Sequence, residues 1–517
     1  TFNYLMAADE PSIVTTLYLL SSRPIEFDHR SQKYVAALAE TWTTADGQTV
    51  DIKLRDGLKF SDGHALTSDD VIFSLKAIYD EKTDSPAFRD AMLINGKQIE
   101  ARRIDDVRLQ MIFPEKVAAV ENYLDNLGVL PKHILEPELN AGKLAEAWKI
   151  TADPATIATS GAFTLESSTP GERVTLKKNP HYFKKDENGV ALPYLDKFVL
   201  EIIPDSNNAF ASLGQGSLDM VDRIRGTDFA ALTSDQTGPV RAFDLGPGLG
   251  TDHIWFNLNR SMADGKQLDN TPKFKWFSNK AFRQAISSAI DRNTISTITL
   301  KGLATPLYGF VSPANRVWIN PDLPKPPYDI EKSKSQLNEA GFSIKGTPDA
   351  PELFDAENNR VEFSLLVPAE NEQRKLIAAV VQEDLAKVGI KMQVVPIENQ
   401  GIAERWSKTF DYDAMLLGLS VTAIEPTSYA NFLLSGASVH QWQPNQKTPA
   451  TEWEAKIDKL FAEQARETDA AKRAVIFNEI QSILADESPV IPITARHIVT
   501  AANTRIGNYA PSGIFPY

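Results

Sequence analysis

Seven histidines, at positions 29, 64, 133, 181, 253, 440 and 497, are the side chains best able to bind a metal or move a proton near neutral pH. None lies in an H-E-x-x-H pair, the spacing that aims two imidazoles from one helix face at zinc, so a metalloprotease is disfavoured. No Gly-x-Ser-x-Gly elbow occurs, which weakens a serine hydrolase. Residues 246–250, Gly-Pro-Gly-Leu-Gly, are rich enough in glycine to approach a phosphate, but the spacing is not G-x-G-x-x-G. No Gly-Lys-Ser/Thr occurs and no helical pattern follows, so this stretch reads as a loop beside a hinge. Asp186-Glu187-Asn188-Gly189 lacks the spaced oxygens and closing Glu of a calcium loop and reads as a surface turn. Cysteine is absent, which removes thiol catalysis, zinc–cysteine sites and disulfides together. Any two of 68 acidic residues could meet in space as a glycosidase pair, and that abundance makes the possibility uninformative. Neither a metal nor a cofactor is expected.

The elements that must position a site follow from periodicity. Val50, Ile52 and Leu54 alternate with Asp51, Lys53 and Arg55, the pattern of a half-buried strand. Asp56-Gly57 turns the chain, residues 58–60 resume the strand, and Ser61-Asp62-Gly63 turns it again. Thr67 and Asp70 have the spacing of a capping pair, ahead of Val71, Leu75, Ile78 and Tyr79 on one helix face. Residues 1–38 read as an opening strand and helix punctuated by Pro11 and Pro24. A strand pair is expected over 99–104 and 107–113 about Asp105-Asp106. Strand 198–203, a helix capped by Asp205 and strand 218–221 read as a βαβ unit, which demands parallel pairing. Ser278 is placed to cap a helix bearing Phe282, Ile286 and Ile290, and Asp329 to cap another that Gly341 stops. Strand 361–367, a helix with Ile377, Val381 and Leu385, a Gly389 stop and strand 390–397 make a second βαβ unit. Ile476, Ile480, Ile483 and Leu484 stripe a last helix before strand 490–493.

At 517 residues the chain exceeds one core, and roughly 150 residues per domain suggests about three modules. The net charge of −14 argues against a nucleic-acid or anionic-membrane surface, since either needs a positive field. No apolar run is long enough to span a bilayer. The chain opens Thr1-Phe2-Asn3-Tyr4 with no basic-then-apolar leader; a secreted protein whose signal had been removed would look the same, so the compartment must come from other features.

Spaced residues then carry a resemblance. Leu38-Ala39-Glu40-x-Trp42, Leu54-Arg55-x-Gly57-x-x-Phe60-x-Asp62-Gly63 and Leu66-Thr67-x-x-Asp70-Val71-x-x-Ser74-Leu75 are similar to the signature of bacterial extracellular solute-binding proteins of the peptide/nickel ABC importer family, family 5, of the oligopeptide/dipeptide-binding type. Further landmarks are Pro131-Lys132-His133, Asn179-Pro180-x-Tyr182-Phe183, Tyr194-Leu195-Asp196, the stretch from His253 to Asn259, and the segment from Phe282 to Arg292. His133, beside a helix start, is expected to be a structural hydrogen-bonder. The resemblance implies a two-lobed α/β fold of the large, three-subdomain periplasmic-binding type, with mixed sheets and hinge crossings near residues 250 and 495. It implies a lobe 1 base at 1–38, an extra subdomain at 39–160, the base continued over 161–250, lobe 2 over 251–493 and a return to lobe 1 over 494–517. It also implies a monomeric, non-enzymatic receptor outside the cytoplasm, periplasmic or at the cell surface. Its partners would be a small solute, foremost a peptide, and a membrane permease.

The informative departure lies in 412–428. Oligopeptide-binding relatives have a Trp after the Gly, then an Asp that pairs with the peptide ammonium, then an acidic-Pro pair. Here Leu419 follows Gly418, Thr422 stands where the Asp would be, and Glu425-Pro426 keeps the last part. A buried ammonium without a counter-charge costs several kcal/mol, so Thr422 removes an anchor for a free amino end. The candidate ligand-binding residues are therefore Gly418, Leu419, Ser420, Thr422 and Glu425, with Trp442 as an aromatic lining residue. Glu425 has an alternative role as a helix-start residue, and Trp442 as a packed loop anchor. Oligosaccharide or another neutral solute is the second ligand class. Nickel ranks lower because the lone histidines offer no evident site, and a secreted hydrolase is the remaining alternative.

Overall fold

Alternation at positions 50, 52 and 54 produces the expected strand. In the computed structural model, which describes residues 1–7, 9–94, 96–234, 237–419, 421 and 423–515, strand Thr49–Leu54 buries Val50, Ile52 and Leu54. It forms an antiparallel four-stranded sheet in the order Ala39–Thr44, Thr49–Leu54, Arg108–Ile112, Glu100–Arg103. The chain packs as two compact units, residues 1–208 with 466–468, and 209–465 with 469–515.

In the first unit, helix Ser68–Tyr79 starts at the expected capping pair and buries Val71, Leu75 and Ile78. The Thr67 amide donates to Asp70 Oδ2 at 2.8 Å, and the Lys132 amide donates to Asp70 Oδ1 at 3.0 Å. Lys132 opens helix Lys132–Asn140, so one buried carboxylate satisfies amides at two helix starts that would otherwise lack partners. Next to it, His133 Nε2 is 2.7 Å from Asp62 Oδ2 and its ring stacks on His64 at 3.8 Å, the structural role its position suggested.

Three expectations for this unit are corrected. Residues 58–60 form no strand, only a bridge between Lys59 and Ala65, because Gly57 and Gly63 turn the chain too soon for a ladder. Helix Glu10–Ile13, widening into a π-helical turn at Val14–Leu19, precedes the hairpin Ile25–Asp28 with Lys33–Ala36, the reverse of the expected order. Pro11 sits in the first turn of that helix, with Asp9 capping it through the Ser12 amide at 2.9 Å. The 198–221 βαβ unit does not exist. Lys197–Glu201 pairs antiparallel with Arg173–Lys178, whereas Met220–Val221 pairs antiparallel with Val490–Asn503 in a sheet of the second unit. Lys197–Glu201 has one open face, which an antiparallel sheet tolerates and a parallel one does not.

The second unit is built on a mixed sheet. Its strands run Met220–Val221, Val490–Asn503, Val240–Phe256, Ala414–Leu419, Glu362–Pro368, Lys391–Ile397, and Ala304–Pro306 also pairs with Val490–Asn503. Glu362–Pro368 is parallel to both its neighbours, with helix Glu372–Ala386 as the crossover, as the second βαβ pattern requires. Gly389 stops that helix at φ +83°, and a Cβ there would lie 2.7 Å from the Leu353 nitrogen. Residues 246–250 are not a loop but part of strand Val240–Phe256. The ladder to Val490–Asn503 shifts register on either side of Pro247, which has no amide to donate, and Gly246 takes φ +77° to absorb the bulge. The helix predicted to begin at Ser278 is Lys280–Ala289, capped one residue later by Asn279, whose Oδ1 accepts from the Ala281 amide at 3.0 Å. Among the described residues no helix is long and apolar enough to cross a membrane.

Replacing Asp70 by Ala should cost about 2–3 kcal/mol in urea unfolding, since each orphaned cap amide costs on the order of 1 kcal/mol or more. Asp70→Asn, which keeps one acceptor oxygen, should lose less. Equal stability of Asp70→Ala and the parent protein would show that the shared cap is not a stabilising contact.

Candidate functional site

The C-terminal end of strand Ala414–Leu419 carries Gly418 and Leu419, two of the residues singled out from the sequence. Gly418 is the cross-strand partner of Asp252, and Leu419 of Thr251. On the other side, Asp252 faces Thr494 of Val490–Asn503. This register sets a fully buried carboxylate, 0% exposed, in the middle of the sheet. A buried carboxylate calls for cationic partners, and two arrive from separate elements.

Arg374 comes from the first turn of helix Glu372–Ala386, whose start is fixed by Asn371 accepting from the Arg374 amide at 3.0 Å. Its Nε donates to Asp252 Oδ1 at 2.8 Å. Arg496 comes from Val490–Asn503 and puts its Nε 3.1 Å from Asp252 Oδ2, while its Nη1 donates to Gln373 Oε1 at 2.8 Å. Among the described residues the Nη groups of Arg374 make no hydrogen bond. They have room because position 418 is glycine: a Cβ there would lie 2.0 Å from Arg374 Nη2.

Arg374, Arg496, Gly418 and Leu419 line a cavity of about 430 Å³ in the second unit, together with Gly250 and Arg223. Two guanidiniums share one carboxylate, so this part of the wall keeps one net positive charge. His497, also on the wall, is held by Asp244 Oδ2 at 2.9 Å and by Thr305 Oγ1 at 2.9 Å. Arg225 forms a bidentate pair with Asp228 at 2.7 and 2.8 Å. A charged, forked donor edge on a cavity wall suits a carboxylate, which accepts two parallel N–H bonds.

A larger cavity in the same unit, about 490 Å³, contains Arg292 and Tyr308. There the Arg292 donors go to the carbonyls of Leu307, Pro492 and Ser287 and to Ser287 Oγ, and burial pushes its pKa down to about 10. That arginine is committed to the fold, so the smaller cavity is the better ligand site. No group of three or more His, Asp or Glu among the described residues converges closely enough to hold a metal ion.

Ser420 and Thr422 lie outside the described residues. Glu425 is not on the cavity wall: it is 4% exposed, precedes the 3₁₀ turn Pro426–Tyr429 and ion-pairs with Arg473. Arg473 is fixed in turn by Gln464 O at 3.0 Å and by stacking on Trp318 at 4.8 Å. Trp442 is likewise a packed anchor here, 1% exposed, because its indole N–H has a buried acceptor, Glu454 Oε1, at 2.9 Å. Its ring lies 4.0 Å from that of His440, and its carbonyl accepts from the Leu258 amide at 3.0 Å.

Asp252, Arg374 and Arg496 escaped the sequence reading. A signal was present in Asp252, a lone acid inside an apolar strand run, since such a residue is buried only when paired. Which cations would reach it depends on strand order and register.

A family model described as bacterial extracellular solute-binding proteins, family 5 Middle, matches residues 33–441. A probable ABC transporter-binding protein of Deinococcus radiodurans is 30% identical, over 98% of this chain and 87% of its own length. Among solved structures, the ABC transporter substrate-binding protein CtaP of Listeria monocytogenes superposes with a TM-score of 0.79 at 24% identity, covering 98% of this chain and 92% of that one. The oligopeptide-binding protein AppA of Bacillus subtilis, in complex with a nonapeptide, gives 0.67 at 24% identity over 99% and 94% of the two chains.

Glu454 supplies a pH test of the Trp442 anchor. Burial would raise its carboxyl, but the adjacent His440 and hydrogen bonds from Gln446, Thr451 and Trp442 outweigh that and hold it at about 2. A carboxyl depressed from 4.5 stabilises the fold above the unfolded value and loses that contribution as pH falls through 4.5 toward 2. Glu454→Gln should therefore lower stability at neutral pH by up to about 3 kcal/mol, at about 1.4 kcal/mol per unit. The gap to the parent should close in acid. A gap independent of pH in denaturant titrations would contradict this.

Proposed function

The chain belongs to the bacterial extracellular solute-binding proteins of family 5, and from that premise we propose that it is a peptide receptor of an ABC importer that grips its ligand by a carboxylate. Its fold is that of the large periplasmic binding proteins, mixed α/β with several sheets. The observation that carries the proposal is the Arg374 guanidinium, a residue of the cavity wall held by its Nε to buried Asp252, whose Nη groups make no hydrogen bond among the described residues. The nonapeptide bound to AppA supports peptide as the ligand class. Thr422, uncharged where amine-binding relatives carry Asp, fits a site that reads the acid end of a peptide rather than its ammonium.

The same proposal covers capture by closure of two lobes, with residues 1–250 and 494–517 in one and 251–493 in the other. Only a closed form contacts solute with both lobes, so binding shifts the equilibrium toward it. A monomer outside the cytoplasm delivering intact ligand to a membrane permease, with no catalysis and no nucleic-acid partner, completes the reading. A neutral solute such as an oligosaccharide suits Thr422 equally but leaves the charge of Arg374 unused.

Calorimetric titration with peptides in free, N-acetylated and C-amidated forms tests this. Charge-assisted hydrogen bonds contribute roughly 1.5–3 kcal/mol against about 1 for neutral ones. Amidation should therefore weaken binding about tenfold, N-acetylation by less than that, and Arg374→Ala should remove the amidation effect. A hundredfold loss on N-acetylation with none on amidation would overturn the carboxylate anchor. Cleavage of the peptides would overturn the receptor.

A further inference from the structure

We infer that Asp252, which is too buried to touch a ligand, is the positioning residue that gives this site its preference for an anionic group, an inference that rests on the carboxylate-anchor reading. Three elements meet at it: its own strand Val240–Phe256, helix Glu372–Ala386 through Arg374, and strand Val490–Asn503 through Arg496. A free arginine on a cavity wall samples many rotamers and can turn any of its donors toward a ligand. Arg374 is restrained in two ways. Asp252 Oδ1 takes Nε at 2.8 Å, which leaves the two Nη groups as the edge without protein partners among the described residues. Gly418, the cross-strand neighbour of Asp252, leaves open the space that Nη2 occupies. The Asp252–Gly418 pair thus acts as a seat, one residue supplying charge to Nε and the other supplying clearance for Nη2.

The seat also sets the charge. Asp252 offsets one of two guanidiniums, so the wall attracts a single carboxylate while the arginines stay close together without a bound anion. A bidentate acceptor needs both Nη donors aimed the same way, and the orientation imposed at Nε meets that need before ligand arrives.

The test compares acid and amide forms of one peptide on the parent protein, Asp252→Asn and Gly418→Ala, with side-chain Nε–H signals of arginine followed by NMR in the ligand-free proteins. In the parent, Arg374 should give a slowly exchanging Nε–H, and the acid should bind about tenfold more tightly than the amide. Asp252→Asn should speed that exchange and reduce the preference to under about threefold. Gly418→Ala, which keeps the carboxylate but displaces Nη2, should reduce the preference to a similar degree and serves if Asp252→Asn does not fold. A preference unchanged in both variants means that Asp252 and Gly418 only support the fold, and overturns the inference. A preference that rises in Asp252→Asn means that Asp252 acts by charge alone, and also overturns it. If the parent binds acid and amide equally, the carboxylate anchor itself has failed and this inference falls with it. A retained parental preference separates the two failures.

Discussion

Burying a carboxylate with no solvent exposure is costly unless cations are brought against it, and in the second unit the arrangement around the cavity follows from meeting that condition at Asp252. The register between Val240–Phe256 and Ala414–Leu419 puts Asp252 beside Gly418, and the missing side chain there leaves space for Arg374. The crossover helix between two parallel strands delivers Arg374 from its first turn. Val490–Asn503, pairing along the other edge of Val240–Phe256, delivers Arg496. Breaking one member of such a cluster leaves an uncompensated buried charge, so strand register, helix start and cavity polarity depend on one another.

The first unit uses the same economy at Asp70, with amides in place of guanidiniums. Its two carboxylate oxygens accept from Thr67 and Lys132, and Ser74 beside it accepts from the Leu130 amide at 2.8 Å. Both acids stand at places where backbone or charge geometry would otherwise be unsatisfied. Only Asp252 leaves a donor edge over for something else.

Local signals were read well from the sequence where local chemistry decides the outcome. Thr67-x-x-Asp70, the Gly389 stop and the strand–helix–strand pattern from 361 to 397 each predicted what forms, because capping, left-handed backbone and burial period act over a few residues. Strand partners were read poorly. Residues 198–221 had a βαβ pattern, but Lys197–Glu201 pairs antiparallel with Arg173–Lys178 instead, which leaves one face in water. Residues 246–250 looked like a loop because glycine and proline usually break strands, yet a bulge lets them continue within a long ladder. Of the residues singled out from the family-like segment and beyond it, Gly418 and Leu419 line the cavity, whereas Glu425 and Trp442 pair with Arg473 and Glu454. Those partners lie 48 and 12 residues further along the chain, and no spacing rule joins them.

The receptor and its anchor together make a single structural claim: bound peptide ends in a carboxylate at Arg374. A crystal structure of the protein with a free-acid peptide tests it most directly. The account predicts carboxylate oxygens within hydrogen-bond distance of both Arg374 Nη atoms, with the Nε bond to Asp252 intact. Peptide bound with its carboxylate in solvent, and the Arg374 Nη edge facing water, would contradict it.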